Sequence, residues 1–331
     1  MDKKGDKKLK VAIPKGSLEN DIKELFEEAG LKLGFSSSRD YRPGVSDKEL
    51  YVKMLRPQEI PSYLLAEYDF DVGISGIDWV KESGVDVDLI LDLKVGGVKI
   101  VFCVPDDWEF NDLDEILNDF SKKNKPLRIS TEYINLSLDY IKNKSNYKSL
   151  YGNKDPKVIT PWRIWGENDM VKIFLSFGAT EAKPPEEVDA IIDNTQTGST
   201  IRANNLKIID VIDTSTAYLI GNKNSIKDKW KGEKIKDLQV LLKGVIDARN
   251  KLHIFMNVRE ENLDKILRIL PALKKPTVAK LAGEGSEGWL AINTIIQKNE
   301  FLELIPQLRK YAQGLVVYEP RQVLPFEELQ E

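Results

Sequence analysis

The segment over residues 188–200 carries the strongest chemical signal in the sequence. A buried strand is predicted over residues 188–192, with Asp189 and Asp193 near its two ends, and a loop of small hydroxyl residues follows. Backbone N–H groups in such a loop can bind a phosphate, and Gly198 lets the chain approach it closely. The carboxylates beside it suit ribose hydroxyls or a Mg²⁺ ion bound to the same ligand. A Thr-rich turn after a core strand is the alternative, and the residues alone favour neither.

Two cations are further candidates for anion binding. Lys15 lies between Pro14 and Gly16, where a strand gives way to a helix, and the helix dipole alone disfavours a lysine there. A ligand phosphate at the unpaired helical N–H groups would explain its position. Arg56, directly before Pro57, can bind a phosphate through two N–H groups at once. Solvated surface cations are the alternative at both positions.

Two strand-to-helix junctions carry polar residues whose role the sequence leaves open. Asp78 follows Gly76 at the start of a predicted helix, where an aspartate is more often a cap than a ligand contact. Thr131 and Tyr133 lie at a junction of the same kind. Both junctions predict either local capping or part of a binding site.

The chain contains one histidine and one cysteine among its 331 residues. This excludes metal sites built from several His or Cys side chains, disulfide frameworks, and Cys–His pairs with a second His. Cys103 is predicted to be a core thiol, and His253 to be structural. The chemistry must therefore use carboxylates, hydroxyls, cations, backbone amides or a metal that the ligand carries.

Charge and hydropathy exclude several classes of protein. The 49 Lys and Arg and 53 Asp and Glu residues give a net charge of −4, so an anion must be bound by a local cluster of cations. Apolar runs are about as short as residues 100–104, far below the ~20 residues of a membrane span. The lysine-rich residues 1–10 lack the apolar core of a secretory signal. We expect a cytoplasmic protein with no nucleic-acid and no membrane partner.

The elements that must position these residues alternate between strands and helices. The pattern predicts lobe one over residues 1–104, completed by about residues 207–225, and lobe two over residues 105–206, with a cleft between them. Within lobe two, the polar residues 142–169 around Trp162 and Trp165 are predicted to be a long loop or insertion.

The last part of the chain predicts a small separate domain. Residues 226–250 are predicted to be a linker and a helix, and residues 251–331 to be the domain. Its elements follow the βαββαβ order of a ferredoxin-like domain, which is common in small regulatory domains. They are assigned to residues 252–258, 261–270, 277–281, 289–296, 301–311 and 315–318.

Taken in order, several segments resemble the ATP phosphoribosyltransferase family in its long form, which ends in a regulatory domain. The resemblance covers most of the chain, and its most specific part is the loop from Asp189 to Arg202 with Ala203 to Leu206 after it. The other segments are residues 13–18, 55–61, 71–78, 130–133, 178–181, 257–263 and 275–278.

The resemblance implies an α/β fold whose two-lobed core, with a central cleft, is similar to periplasmic binding proteins. It implies transfer of the phosphoribosyl group of phosphoribosyl pyrophosphate to N1 of the ATP adenine, the first step of histidine biosynthesis. It also implies Mg²⁺ carried by the substrate phosphates, histidine as an allosteric inhibitor, and a homo-oligomer, a hexamer in equilibrium with a dimer. The reaction fits the composition, because the adenine nitrogen already has a lone pair and needs no His or Cys nucleophile.

The resemblance also implies roles for individual residues. The expected catalytic residues are Lys15, Arg56 and Asp193. The expected contacts to phosphoribosyl pyrophosphate are Asp189, Asp193, Thr195, Gln196, Thr197, Gly198, Ser199 and Thr200. The expected contacts to ATP are Lys15, Gly16, Arg56, Gly76, Asp78, Thr131 and Tyr133.

One departure from the family keeps other functions open. Ser17 stands where the family usually has an arginine, and Arg39, Arg42 or Arg202 could replace it. A catalytically weakened regulatory paralogue is therefore one alternative. A two-lobed protein that senses a small anion without catalysis is another, although it would not need carboxylates beside a phosphate loop.

Overall fold

The computed structural model describes residues 7–37, 39–270, 276–283, 285 and 287–324. Within them the chain divides into two compact units. The first unit comprises the residues up to Ile22, then Phe35–Pro43 and Lys48–Lys231. The second comprises Lys23–Gly34, Gly44–Asp47 and the residues from Gly232 onward.

The described residues form the following strands and helices. The strands are β1 Leu9–Pro14, β2 Leu33–Gly34, β3 Gly44–Val45, β4 Leu50–Leu55, β5 Val72–Gly76, β6 Asp88–Asp92, β7 Val98–Pro105, β8 Leu127–Thr131, β9 Pro156–Ile159, β10 Ile164–Trp165, β11 Asn168–Leu175, β12 Ala190–Thr195, β13 Leu206–Ser215, β14 Ala217–Gly221, β15 Lys251–Arg259, β16 Thr277–Lys280, β17 Trp289–Gln297 and β18 Ala312–Tyr318. The α-helices are α1 Glu19–Glu28, α2 Ile60–Tyr63, α3 Ile77–Ser83, α4 Leu113–Lys122, α5 Ile134–Asn143, α6 Ser145–Tyr151, α7 Ser199–Ala203, α8 Lys223–Lys227, α9 Lys229–Arg249, α10 Leu263–Ile269 and α11 Phe301–Leu308.

The first unit contains two sheets, which define its two lobes. The sheet of lobe one has the strand order β4-β1-β5-β14-β6. The central strand β1 pairs in parallel with β4 and β5, and Val11, Ala12 and Ile13 along it are all buried. A continuous apolar run of this kind is typical of a parallel strand covered on both faces.

The sheet of lobe two has the strand order β10-β9-β11-β8-β12-β7-β13. The expected boundary at residue 104 is wrong, because it falls inside β7, which pairs with β12 and β13 of lobe two. Of the residues expected to complete lobe one, β13 also belongs to lobe two, and β14 pairs with β5 and β6 of lobe one. The chain therefore crosses between the lobes twice, after β6 and at Thr216.

The segment 142–169, expected to be a long loop or insertion, is instead regular structure. It contains α6, β9 and β10 and the start of β11. Tyr147 is fully buried in the lobe-two core together with Val158. The Tyr147 hydroxyl donates to the carbonyl of Lys154 at 2.7 Å and accepts from Asn168 at 3.0 Å. A few large residues thus anchor a segment whose average composition is polar.

The second unit contains the ferredoxin-like domain. Its sheet is antiparallel with the strand order β16-β17-β15-β18, and every second residue of β15 and β17 is buried against α10 and α11. The predicted βαββαβ order is confirmed. Of the segment 275–278, Lys275 lies outside the described residues.

The linker expected before this domain is mostly helical. Helix α9 begins at Lys229 and is 21 residues long, so it absorbs most of the expected linker. No helix in the described part of the chain is long and apolar enough to cross a membrane.

Candidate active site

A cavity of about 840 Å³ lies between the two lobes of the first unit. Its lobe-one side carries several cations, and its lobe-two side carries Glu132 and Asn194. A smaller cavity of about 280 Å³ shares Ser17, Pro57, Trp79 and Asn194 with it. The cations are Lys15, Arg42, Lys53 and Arg56.

Strand register brings Lys15 and Arg56 together at one edge of the lobe-one sheet. Strands β1 and β4 are parallel, and Pro14 pairs with Leu55, so each strand ends directly before one of the two cations. The Lys15 N–H donates to the carbonyl of Leu55 at 2.7 Å. Open α/β sheets commonly bind ligands at the carboxyl ends of their strands. Both residues, with Gly16, line the larger cavity as expected.

Arg42 and Lys53 complete the cationic side of the cavity, and aromatic rings hold them there. The Arg42 Nε donates to the Tyr51 hydroxyl at 3.1 Å. The Lys53 Nζ lies 4.9 Å from the ring centroid of Tyr63, while Lys15 Nζ lies 4.3 Å from that of Tyr41. The sequence pattern did not single out Lys53, because it lies within β4, before the segment 55–61 that carries the resemblance. Four cations facing one cavity favour a polyanionic ligand.

Asp193 is a partly buried acid on lobe two. It accepts hydrogen bonds from the Thr180 hydroxyl and from the Asn194 N–H, the latter at 2.7 Å. Burial raises the pKa of Asp193 to about 6, and the charges of Glu181 and Glu132 contribute, although the two hydrogen bonds act in the opposite direction. A carboxyl group of this kind can accept a hydrogen bond from a ligand hydroxyl or interact with a cation bound to the ligand.

Asp189 does not reach either of the two cavities. It lies at the opposite end of β12 from Asp193 and is 3% exposed. Its carboxylate accepts from Arg128 Nε at 3.0 Å and from Lys125 Nζ at 2.9 Å. Burial alone would raise the pKa of Asp189, but the hydrogen bonds from Arg128 and Lys125 lower it overall. Asp189 therefore forms a structural ion pair with Arg128 of β8, next to the start of β12.

The loop after β12 contains a glycine with a left-handed backbone conformation and leads directly into a short helix. Gly198 has a φ of 71°, and its N–H donates to the Thr195 hydroxyl at 2.9 Å. Helix α7 begins at the next residue without a side-chain cap. Within the loop, the Thr197 hydroxyl bonds the Ser199 hydroxyl at 3.0 Å. Gln196 lines the smaller cavity.

Gly76, Asp78 and Tyr133 line the smaller cavity, and the Tyr133 hydroxyl donates to the Asp78 carboxylate at 2.8 Å. Asp78 is 3% exposed and Tyr133 has no exposed surface. A Cβ atom on Gly76 would lie 2.1 Å from the Asp78 carboxylate, so the glycine makes room for that carboxylate. Thr131 is fully buried and accepts from the Tyr133 N–H at 2.8 Å.

The geometry fits a protein that binds phosphate esters, and comparison with known proteins decides which. The family model "HisG: ATP phosphoribosyltransferase" matches residues 56–244, and "HisG, C-terminal domain" matches residues 248–321. The chain belongs to the ATP phosphoribosyltransferase family.

Relatives in this family span nearly the whole chain. The ATP phosphoribosyltransferase of Thermodesulfovibrio yellowstonii is 35% identical over 97% of this chain and 99% of its own. That of Desulforudis audaxviator is 37% identical over 96% of this chain and 100% of its own. The solved ATP phosphoribosyl transferase (HisG:HisZ) complex from Thermotoga maritima is 23% identical, with a TM-score of 0.53 over 71% of this chain and 98% of that chain.

The expected family, its fold class and its enzyme class are therefore confirmed. The chain is a pentosyltransferase of histidine biosynthesis. Of the three arginines considered as replacements for the family residue at Ser17, Arg42 lines the larger cavity. Arg202 lies beside Gly198 of the loop, and Arg39 lines neither of the two cavities between the lobes.

The described residues contain no group of three or more His, Cys, Asp or Glu side chains suited to a metal ion. The carboxylates that line the larger cavity are those of Glu59 and Glu132, whereas Asp193 lines neither of the two cavities.

Proposed function

We propose that this chain transfers the phosphoribosyl group of phosphoribosyl pyrophosphate to N1 of the ATP adenine. The C1–N1 bond forms with the adenine lone pair, and the C1–O bond breaks with its electron pair leaving on pyrophosphate. The observation that carries the proposal is the convergence of four cations on one cavity between the lobes. Fixed cations stabilise a departing group that gains charge in the transition state.

In this proposal Lys15 and Arg56 contact the pyrophosphate or the ATP phosphates, and Arg42 and Lys53 add to the positive field. Arg42 would take the place of the arginine expected at Ser17. Mg²⁺ bound to the substrate phosphates would neutralise further charge, with Glu59 and Glu132 as the carboxylates that line the cavity. Alignment of two bound substrates supplies much of the remaining rate enhancement.

The phosphoribosyl donor is assigned to lobe two. Its 5′-phosphate would lie in the loop from Thr195 to Thr200, where Gly198 is in the left-handed region. Asp193 lies two residues before the start of this loop and would accept a hydrogen bond from a ribose hydroxyl. Asp189 is left out of the proposed site, because its carboxylate is paired with Arg128 and Lys125.

Histidine is proposed to inhibit the enzyme through the ferredoxin-like domain, and the chain to assemble as a homo-oligomer, a hexamer in equilibrium with a dimer, in the cytoplasm. The support is the match of residues 248–321 to the C-terminal domain of the family. The catalytically weakened paralogue remains the second candidate, since Ser17 removes one expected cation. Arg42 in the same cavity favours the active enzyme.

The test is an assay of purified protein with ATP, phosphoribosyl pyrophosphate and Mg²⁺, followed by the ultraviolet absorbance of the N1-ribosylated product. We expect turnover that chelation of Mg²⁺ abolishes. Arg56→Gln should lower kcat/KM about 10- to 100-fold, the cost of one lost charge-assisted contact. Arg163→Gln, which removes an exposed arginine outside both cavities, is the matched control and should leave kcat/KM unchanged. Folded protein that binds both substrates without turnover would establish the weakened paralogue instead.

A further inference from the structure

The hydroxyl of Tyr133 joins the two lobes at a point with no exposed surface. It donates to the Asp78 carboxylate, on α3 of lobe one, at 2.8 Å. It accepts from the Asn194 side-chain amide, on β12 of lobe two, at 2.9 Å. Tyr133 is fully buried, and its hydroxyl makes these two hydrogen bonds with the protein's own residues.

The carboxylate end of this chain of hydrogen bonds is rigid. The Asp78 Oδ1 accepts from the Ser215 hydroxyl at 2.5 Å, and the Asp78 N–H donates back to that hydroxyl at 3.2 Å. The Asp78 carboxylate also packs on the backbone of Gly76, where a Cβ atom would lie 2.1 Å from Oδ1. Asp78 therefore has one position available, and it fixes the hydrogen atom of the Tyr133 hydroxyl.

The tyrosine itself is held in one protonation state and one orientation. Its ring stacks on Trp79 with centroids 4.3 Å apart and planes 21° apart. Burial first, and then the charge of Asp78, raise the pKa of Tyr133. The protonated phenol donates its hydrogen bond to Asp78, and its oxygen accepts a hydrogen bond from the Asn194 amide.

The other end of the chain opens onto the substrate. Asn194 is exposed and lines both cavities. It lies between Asp193 and the loop that begins at Thr195, on the side assigned to the phosphoribosyl donor. A primary amide with one N–H fixed by Tyr133 still presents a second N–H and an oxygen, a pairing that suits the hydroxyls of a sugar.

We propose that Asn194 contacts the ribose of phosphoribosyl pyrophosphate and that Tyr133 is its positioning residue, holding the amide in place from the buried Asp78 carboxylate. This inference rests on the proposed function and deepens it. A side chain fixed before binding loses less conformational freedom when the substrate arrives. The alternative is that Tyr133 only ties the lobes together.

The test compares Tyr133→Phe, Asn194→Ala and the double variant in the full chain. Kd for phosphoribosyl pyrophosphate is measured by calorimetry, KM for both substrates by the product assay, and stability by the thermal midpoint. Each single variant should raise Kd and KM for phosphoribosyl pyrophosphate about three- to tenfold, the effect of one hydrogen bond. KM for ATP should not change. The double variant should have the same Kd and KM for phosphoribosyl pyrophosphate as Asn194→Ala, because Tyr133 acts only through the Asn194 side chain.

Tyr140→Phe is the matched control. The Tyr140 hydroxyl donates to the Asp210 carboxylate at 2.7 Å within lobe two, and Tyr140 lines neither of the two cavities between the lobes. Like Tyr133→Phe, this variant removes a phenol oxygen bonded to an aspartate. We expect an unchanged Kd for phosphoribosyl pyrophosphate in Tyr140→Phe.

Three results would overturn the inference. One is a Tyr133→Phe variant with a lower thermal midpoint and an unchanged Kd, which would show a purely structural tyrosine. Another is a double variant in which the increase in Kd equals the product of the increases in the two single variants. The third is an unchanged Kd in Asn194→Ala, whose exposed side chain can be removed even if Tyr133→Phe does not fold. Failure of the wild-type chain to bind phosphoribosyl pyrophosphate would instead overturn the proposed function.

Discussion

Asp193 and Asp189 are residues of one type, four positions apart, with opposite environments. The sequence predicted both for the ligand site because both flank one strand. Residues four apart on a strand point to the same side but lie about 13 Å apart along it, so only one of them can reach a given loop. The partners that decide between them, Arg128 on β8 and Thr180 after β11, come from other elements, and no local pattern shows them.

The difference between the two environments predicts that replacing Asp193 and Asp189 by asparagine has opposite effects on stability. The pKa of Asp193 is raised from 3.8 to about 6, so the folded chain keeps this proton after the unfolded chain has lost it. Stability contributed by Asp193 is present below pH 3.8 and is lost as the pH rises through 6, a change of about 3 kcal/mol. We expect Asp193→Asn to be more stable than the wild type at pH 8, with no such gain at pH 4, and to turn over poorly.

Thermal midpoints at the two pH values, together with kcat at pH 8, check this prediction. Asp189→Asn is the matched control, because the pKa of Asp189 is lowered by Arg128 and Lys125 against the effect of burial. Its ionised form stabilises the fold above pH 3.8, so Asp189→Asn should be less stable than the wild type at pH 8. An Asp193→Asn variant that is also destabilised at pH 8 would mean that the carboxylate supports the fold.

At the scale of elements, the sequence predicts what local patterns determine. The loop–helix junction at Lys15, the strand ending at Gly76 and the βαββαβ order all lie where predicted, because each has its own turn residues and periodicity. The segment 142–169 was predicted wrongly, because Tyr147 and Val158 stabilise it through contacts distant in sequence. Arg42 and Lys53 join the site for the same reason, since tertiary packing brings them to the cavity.

Helix α5 shows how one lobe completes an element of the other. Its own N-cap residue, Tyr133, makes no side-chain cap. Glu82 of α3, on lobe one, accepts instead from the N–H groups of Asn135 and Leu136, each at 3.0 Å. This cap satisfies two backbone donors of the kind that helix starts leave unpaired, and it ties lobe two to lobe one beside the cleft.

Glu82→Ala should therefore lower the stability of the fold and weaken substrate binding in the cleft. Losing a cap costs about 1 kcal/mol, and losing the tie between lobes should raise KM for both substrates. Asp112→Ala is the matched control, because Asp112 caps α4 within lobe two by accepting from the Glu115 N–H at 2.8 Å. Thermal midpoints should fall by similar amounts in both variants, while KM rises in Glu82→Ala alone. Equal KM values in the two variants would show that the cap has no effect on substrate binding.

Over the whole molecule, the scarcity of His and Cys agrees with a reaction that uses a lone pair, phosphates and cations. Cys103 is buried, and burial raises its pKa to about 12, as expected of a core thiol. The His253 Nε2 lies 3.4 Å from the Asn293 Oδ1 within the ferredoxin-like sheet. The net charge of −4 is compatible with polyanionic substrates, because four cations converge locally.

The two cavities and the ferredoxin-like domain lie in different parts of the chain, which predicts how a shortened chain should behave. The residues that line the two cavities between the lobes all lie before residue 216. The core of the ferredoxin-like sheet is built from residues 252–315. A chain ending at Arg249 keeps the ion pairs Lys234–Asp47 and Arg249–Glu28. We expect it to retain the kcat and KM of the full chain and to lose inhibition by histidine, which the full chain should show.

The product assay with and without histidine checks this on both chains. A chain ending at Lys231 is the control, because it lacks all but the first three residues of α9 and with them Lys234 and Arg249, the partners of Asp47 and Glu28. Its thermal midpoint should be lower than that of the chain ending at Arg249. A folded chain ending at Arg249 without turnover would show that the last domain completes the active site. Inhibition of that chain by histidine would place the inhibitor site before residue 250, because no later residue would be present to bind it.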